Sequence, residues 1–413
     1  MPGAPAPSRG PSLSPSLLAV LALGYAVAVL DRLNIGVLKL AMQQDAPLGP
    51  AAFGFGAGLF FIAYSAFEAP SNLMLLRFGP RRWLTGLACA WGTVTLGSVW
   101  VHDAGSFVAA RIALGIAEAG YFPGVVLLVH HGLPPAARAR AMAVLMVAGS
   151  AAGLVTGSLV GSVLALDGSP WGLRPWQWAF VATGLPALLV AALLGRCLPA
   201  RLDVAAPAAT PRRPRLDRRR LLGCGLTLAA LQAALYGLLF WLPTWLQQAG
   251  LGDLRLNGWC QAVPHLLALP ALFAVARTVR QARHGARWTA CASLVAAAAC
   301  ATLGLALATD RATPLLLLAA ASVAVAALTS ALAAFWVFAA EAWGPAHAQG
   351  IAIGLVNGLG AIGSFVGPVS IGAAMQADAT RHLPLAGTVV ALAMAAALVR
   401  PSARAPAGSG AHA

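Results

Sequence analysis

The sequence predicts an all-α integral membrane protein, with twelve transmembrane helices arranged as two pseudo-symmetric six-helix bundles. Three observations carry that expectation. The chain is 59% hydrophobic and only 9% charged, with a mean hydropathy of +0.78, whereas a soluble chain is about a quarter charged. Apolar runs of about 20 residues, the length that crosses a hydrocarbon core, recur twelve times. A polar, Pro-rich and basic stretch, PARLDVAAPAATPRRPRLDRR at 199–219, falls between the sixth and seventh runs.

The runs lie near 16–40, 52–76, 83–101, 105–130, 138–166, 176–198, 220–248, 257–279, 288–309, 313–339, 348–377 and 383–400. Helices are the expected spanning form because each satisfies its own backbone hydrogen bonds inside lipid. The runs are too long and too uniformly apolar for barrel strands. The expected organisation is a disordered tail at 1–15, a first bundle at 16–198, a linker at 199–219, a second bundle at 220–400 and a tail at 401–413. An echo supports two halves: RFGPRRWLT (77–85) follows the second run and RHGARWT (283–289) the eighth. The same offset carries Gly157 and Gly161 onto Gly363 and Gly367. Two related six-helix halves suggest a secondary transporter.

Basic residues set the expected orientation. Twenty arginines fall in the termini and loops of one side and four in the loops of the other. Both termini are therefore expected in the cytoplasm, with the chain crossing the inner membrane. The net charge of +15 resides in these loops, so it does not imply nucleic acid. The six cysteines (Cys89, Cys197, Cys224, Cys260, Cys291, Cys300) show no metal-ligand spacing and read as small packing residues. No cofactor motif is found, and a monomer is expected.

Charges inside apolar runs carry the functional reading. Asp31 and Arg32 lie in the first run, Arg111 and Glu118 in the fourth. Each ionised residue at mid-span costs roughly 2.5–3.5 kcal/mol, so four could cost on the order of 10 kcal/mol without compensation. Asp31 and Arg32 point about 100° apart on a helix, so each needs a partner elsewhere. Arg111 and Glu118 are seven residues apart and share a face, about 10 Å apart along the axis. Two acids and two bases sum to zero. Protonating an acid leaves net positive charge that favours an anion, and an anion on the arginines frees the acids to hold protons. That is proton-coupled symport of an anion. The bland alternative is a set of structural ion pairs tying helices together.

Other features are weaker. Lys39, the sole lysine, is expected near a helix end, snorkelling to water. Gly149, Gly153, Gly157 and Gly161 recur every four residues and read as close helix packing. His130 and His131 read as solvated helix-end residues. Glu68 is a gate contact or a paired helix-end residue, and Tyr64, one turn before it, reads as packing.

Several stretches resemble the anion:cation symporters of the major facilitator superfamily: LDRLNIG (30–36), FIAYSAFEAPSNLML (61–75), GPRRWLTG (79–86), RIALGIAEAGYFPG (111–124), WQWAFVATGLPALL (176–189) and YGLLFWLPTWLQ (236–247). The likeness covers about 16–400 and is nearest to bacterial permeases for sugar acids, tartrate and phthalate-type carboxylates. It implies alternating access around a central site. Asp31 and Glu118 would be the proton-binding acids, and Arg32 and Arg111 would bind the carboxylate. Tyr64, Trp336 and Asn357 would face substrate. Arg77, Arg81, Arg82 and Glu68 would serve the cytoplasmic gate. There are departures: Val29 stands where the family often has Tyr, Leu76 where an acid usually precedes Arg77, and the loop at 276–288 lacks its usual Asp.

The expected function is therefore import of a small organic anion with protons. The competing readings are a proton antiporter exporting drugs or metabolites, and a sensor without transport. A membrane enzyme would need a nucleophile, metal cluster or cofactor motif beside a cavity, and none is found.

Overall fold

The computed structural model describes residues 13–166, 168, 170–200, 216–279, 281–309, 312–341, 346–377 and 383–399. The predicted tail at 401–413, most of that at 1–15 and most of the linker lie outside the described residues.

Fifteen α-helices occur among the described residues, and no strand: α1 Pro15–Leu33, α2 Ile35–Met42, α3 Pro50–Phe78, α4 Pro80–Gly97, α5 Ala104–Glu118, α6 Tyr121–Gly132, α7 Pro135–Leu164, α8 Pro175–Cys197, α9 Arg218–Gln248, α10 Leu254–Cys260, α11 Ala262–Thr278, α12 Ala282–Ala308, α13 Pro314–Glu341, α14 Ala346–Gln376 and α15 Leu383–Leu398. Proline stands in the first turn of α1, α3, α4, α7 and α8, where its missing N–H costs nothing. Ser14 caps α1 by accepting from the Leu17 N–H, and Asp103 caps α5 through Ser106.

Helices fill all twelve predicted runs. Ten of the helical segments are long and apolar enough to cross a membrane. Helix α4 is 18 residues long and α15 only 16, so these two are the short members of the set. Large apolar side chains are widely exposed, Leu73 at 67% and Leu189 at 59% among them. Such exposure is ordinary where the surrounding solvent is lipid.

One run expected as a continuous helix is sharply interrupted. The fourth breaks at Ala119–Gly120 between α5 and α6, whereas Asn34 between α1 and α2 and Gln261 between α10 and α11 keep right-handed helical backbone angles, so the first and eighth runs continue through them. Ala119 is extended and Gly120 is left-handed at φ 87, a region nearly reserved for glycine. A Cβ there would also collide with the Ser71 hydroxyl. Periodicity is blind to this break because the apolar composition continues through it.

Contacts divide the chain into two compact units. The first comprises residues 1–212 and 239–263, the second 213–238 and 264–413. In the first, α1 packs on α7 and α8, α3 on α5, α4 on α5 and α8, and α7 on α10. Its core includes Phe53, Phe60, Trp91, Phe107, Tyr121 and Trp241, all at most 1% exposed. In the second, α12 packs on α13 and α15.

The glycine stripe on α7 does make close contacts, but with two neighbours. Gly149 meets the Tyr25 ring of α1, while Gly157 and Gly161 meet the backbone of α10 at Gly258 and Arg255. In the second unit Gly363 and Gly367 meet the backbone of α9 at Ala229 and Ala233. Among the six cysteines, Cys224 and Cys300 are buried and Cys260 half-buried, whereas Cys89, Cys197 and Cys291 are exposed.

Gly120→Ala is expected to cost at least the roughly 1–2 kcal/mol of placing an L side chain in the left-handed region. The collision with Ser71 adds to that. A melting temperature in detergent that falls by several degrees is the expected result, read by thermal unfolding of the purified variant.

Candidate functional site: a buried charge cluster in the first unit

Asp31 and Arg32 occupy the last turn of α1 and diverge as helical geometry requires. Asp31 turns inward and is 1% exposed. Its Oδ2 accepts from the Thr95 hydroxyl of α4 at 2.7 Å. Asn34 lies 3.4 Å from Oδ1 and donates to the Thr183 hydroxyl of α8 at 3.1 Å. The carboxyl is thus gripped by short polar side chains from two neighbouring helices.

Arg32 faces α5. Its Nη2 donates to Glu118 Oε2 at 3.0 Å, with the carboxylate side chain wholly buried. Glu118 ends α5, immediately before the break at Gly120. The guanidinium also lies 5.2 Å from the ring centres of both Phe60 and Tyr64.

Arg111 is buried at 4% exposure, two turns before Glu118 on α5. Its guanidinium sits 4.7 Å from the centre of the same Phe60 ring. Phe60 therefore lies against both arginines, and both acids are within electrostatic reach of Arg111. Arg111 Nε and Nη2 and Glu118 Oε1 have no hydrogen-bond partner among the described residues. Asp31, Asn34, Thr95, Ser98 and Arg111 line a small cavity leaving about 10 Å³ for the centre of a water molecule, room for one.

The four charges singled out in the sequence therefore come together in one unit, as two neighbouring arrangements: the Arg32–Glu118 pair, and Asp31 with Arg111 across the cavity. Tyr64 joins the first through Arg32. Glu68, one turn along α3, is half-buried. Arg77, Arg81 and Arg82 are exposed at the corner between α3 and α4, away from the cluster. Arg81 donates there to the Leu198 carbonyl at 2.6 Å, tying the start of α4 to the end of α8. Trp336 and Asn357 belong to the second unit, on α13 and α14, and each is half-buried.

One expectation is overturned. Lys39 does not snorkel: it is 1% exposed, and its Nζ donates to the Thr244 hydroxyl at 3.0 Å. The reason is that α9 residues 239–248 pack in the first unit and cover it, a contact no local pattern encodes.

Sequence reasoning missed Phe60, Thr95 and Thr183. Phe60 precedes Tyr64 by four residues, hence on the same helix face, and that spacing was an available signal. Nothing local distinguishes the two threonines.

Thr95→Val leaves a buried carboxyl short of one partner and is expected to destabilise by about 1.5–3 kcal/mol. Phe60→Ala removes the ring beneath both guanidiniums and is expected to cost about 3–5 kcal/mol. Detergent melting of each variant beside the parent checks both.

The chain resembles known proteins along nearly its whole length. Residues 21–368 match the Major Facilitator Superfamily. It is 34% identical over 381 residues to a quinolone resistance transporter of Acinetobacter baumannii, covering 86% of each chain. It is 32% identical over 379 residues to a "Putative tartrate transporter" of Agrobacterium vitis, covering 84% of each. Among solved structures, a D-xylose-proton symporter superimposes with a TM-score of 0.73 over 93% of this chain and 96% of that one, at 17% identity, a likeness of fold alone. A multi-pass helical fold, a buried charge cluster beside a broken helix and a family match over most of the chain converge: this protein belongs to the Major Facilitator Superfamily and is a membrane transporter rather than an enzyme.

Proposed function

We propose that the protein imports a small organic anion, a carboxylate, by proton symport through alternating access, with both termini in the cytoplasm and the chain in the inner membrane. One observation carries the reading: a part-buried Arg32–Glu118 pair stands beside buried Arg111, whose Nε and Nη2 have no hydrogen-bond partner among the described residues. A buried guanidinium with N–H groups unspent is suited to a planar carboxylate, which it can hold through two parallel bonds.

The coupling follows from charge balance. With all four groups ionised the cluster is neutral. A proton on Glu118 removes the counter-charge of Arg32 and leaves a net positive site, which draws an anion. The anion, once on the arginines, replaces Glu118 as their partner and favours its protonated form. Asp31 supplies a second proton-binding group, held by Thr95 and set beside Arg111. Tyr64 shapes the wall next to Arg32. Trp336 and Asn357 are assigned to substrate contact from the second unit, and Glu68 with Arg77, Arg81 and Arg82 to the cytoplasmic gate.

The tartrate relative favours this reading. The quinolone resistance relative favours a second one, proton antiport of an exported compound with the same fold. The two differ in the sign of coupling. Proteoliposome transport of tartrate, sugar acids, aromatic acids and a quinolone carboxylic acid, with the proton gradient in either direction, separates them. Uptake driven by an inward proton gradient is expected. Transport driven only against that gradient would establish the antiporter, and indifference to the gradient would remove proton coupling altogether.

Three variants locate the chemistry. Arg111→Ala is expected to lower kcat/KM for the anion at least about tenfold, the loss of one charge-assisted hydrogen bond. Arg32→Lys is expected to fail comparably, because a point charge cannot present a planar fork. Glu118→Gln is expected to abolish accumulation while sparing exchange, since exchange needs no net proton cycle. Loss of exchange in step with accumulation would mark Glu118 as a structural tie.

A further inference from the structure

Lys39 is a buried lysine with no carboxylate partner among the described residues. Its contacts are neutral: the Thr244 hydroxyl at 3.0 Å, the Trp241 ring centre at 3.6 Å and the Phe53 ring centre at 4.6 Å. No carboxylate lies within ion-pair distance of it among the described residues. The two rings, set edge to face with centres 5.4 Å apart, make two walls of an aromatic cage, the arrangement that recognises ammonium groups. The protein occupies this cage with its own side chain.

The cage rests on a weakened turn. Trp241 and Thr244 flank Pro243 inside α9. A proline in a helix interior removes the N–H that would bond to the carbonyl four residues earlier, here that of Leu239. The same carbonyl faces α2 closely, for a Cβ added at Gly36 would stand 3.1 Å from it. The boundary of the first compact unit also falls at Leu239. The contact between α2 and residues 239–248 therefore sits on the turn of α9 best able to bend.

We infer that Lys39 is a gated anion receptor: the cage holds its ammonium while residues 239–248 cover α2, and bending at Pro243 releases it to make the first contact with an incoming carboxylate. The inference rests on the reading of the protein as an anion importer with both termini cytoplasmic, which puts the end of α2 toward the outside. Three features support a receptor over a simple tie. No carboxylate pairs with it among the described residues, so an anion is the partner that completes it once protonated. The cage holds it through a hydroxyl and two rings, none of which neutralises a charge. A leucine or methionine would fill the same space without burying a charge.

The test is chemical rescue of Lys39→Cys in proteoliposomes, with the unsubstituted protein treated in parallel to account for its six native cysteines. The variant is expected to raise KM for the external carboxylate about tenfold with little change in kcat. Treatment with 2-aminoethyl methanethiosulfonate restores an ammonium and is expected to return KM to within about twofold of the parent. Methyl methanethiosulfonate, which adds only bulk, is expected to leave it raised. Equal rescue by both reagents, or an unchanged KM in the untreated variant, would overturn the receptor. A variant inert with either reagent would overturn it too, for the cation would then matter only to folding. Failure of the untreated parent to take up any carboxylate would instead overturn the importer reading.

Discussion

The ion pair between Arg32 and Glu118 is the constraint around which the first unit is organised. A charge taken out of water must find a partner or it will not stay charged. Arg32 stands in the last turn of α1 and reaches across to α5. Glu118 closes α5, and the left-handed Gly120 redirects the chain just beyond it. Glycine is required at that turn, both for its φ and for the room Ser71 occupies. The break and the charge are thus one device: the helix ends where its acid must meet a base on another helix.

Polar side chains stand where helices join or loosen. Asn34 follows Asp31 and Arg32 at the junction of α1 and α2, and donates to Thr183. Pro243 loosens α9 beside Thr244 and Trp241, and its carbonyl accepts from Asn257 of α10 at 2.8 Å. In lipid, irregular backbone survives only where neighbouring groups satisfy it, and here side-chain amides and hydroxyls do so. Small residues serve the opposite purpose. Gly157 and Gly161 let α7 touch α10 backbone to backbone, and Gly363 and Gly367 do the same for α14 on α9, the packing expected where lipid offers no hydrophobic drive.

The two cation arrangements differ in an informative way. Arg32 and Arg111 both lie against the Phe60 ring and stand near carboxylates, so their charge is balanced locally. Lys39 meets two rings and a hydroxyl, and no carboxylate among the described residues. Planar guanidiniums stack on an aromatic face and keep their edge donors for an anion, whereas a compact ammonium must spend its donors on whatever surrounds it.

Much of this protein was legible from its sequence. Length of apolar run, rarity of charge and the basic linker led to a helical membrane fold, because bilayer thickness and backbone hydrogen bonding leave few alternatives. Asp31, Arg32, Arg111 and Glu118 stood out because any charge there demands compensation. Pairing was not legible. Arg32 with Glu118, Asp31 with Thr95 and Lys39 with Trp241 join residues between 64 and 202 positions apart, and periodicity describes only neighbours within a turn or two. The break at Ala119–Gly120 escaped for a related reason, since a single left-handed glycine leaves hydropathy unchanged. Local composition determined which groups had to be solved for; only the packing of distant helices decided with whom.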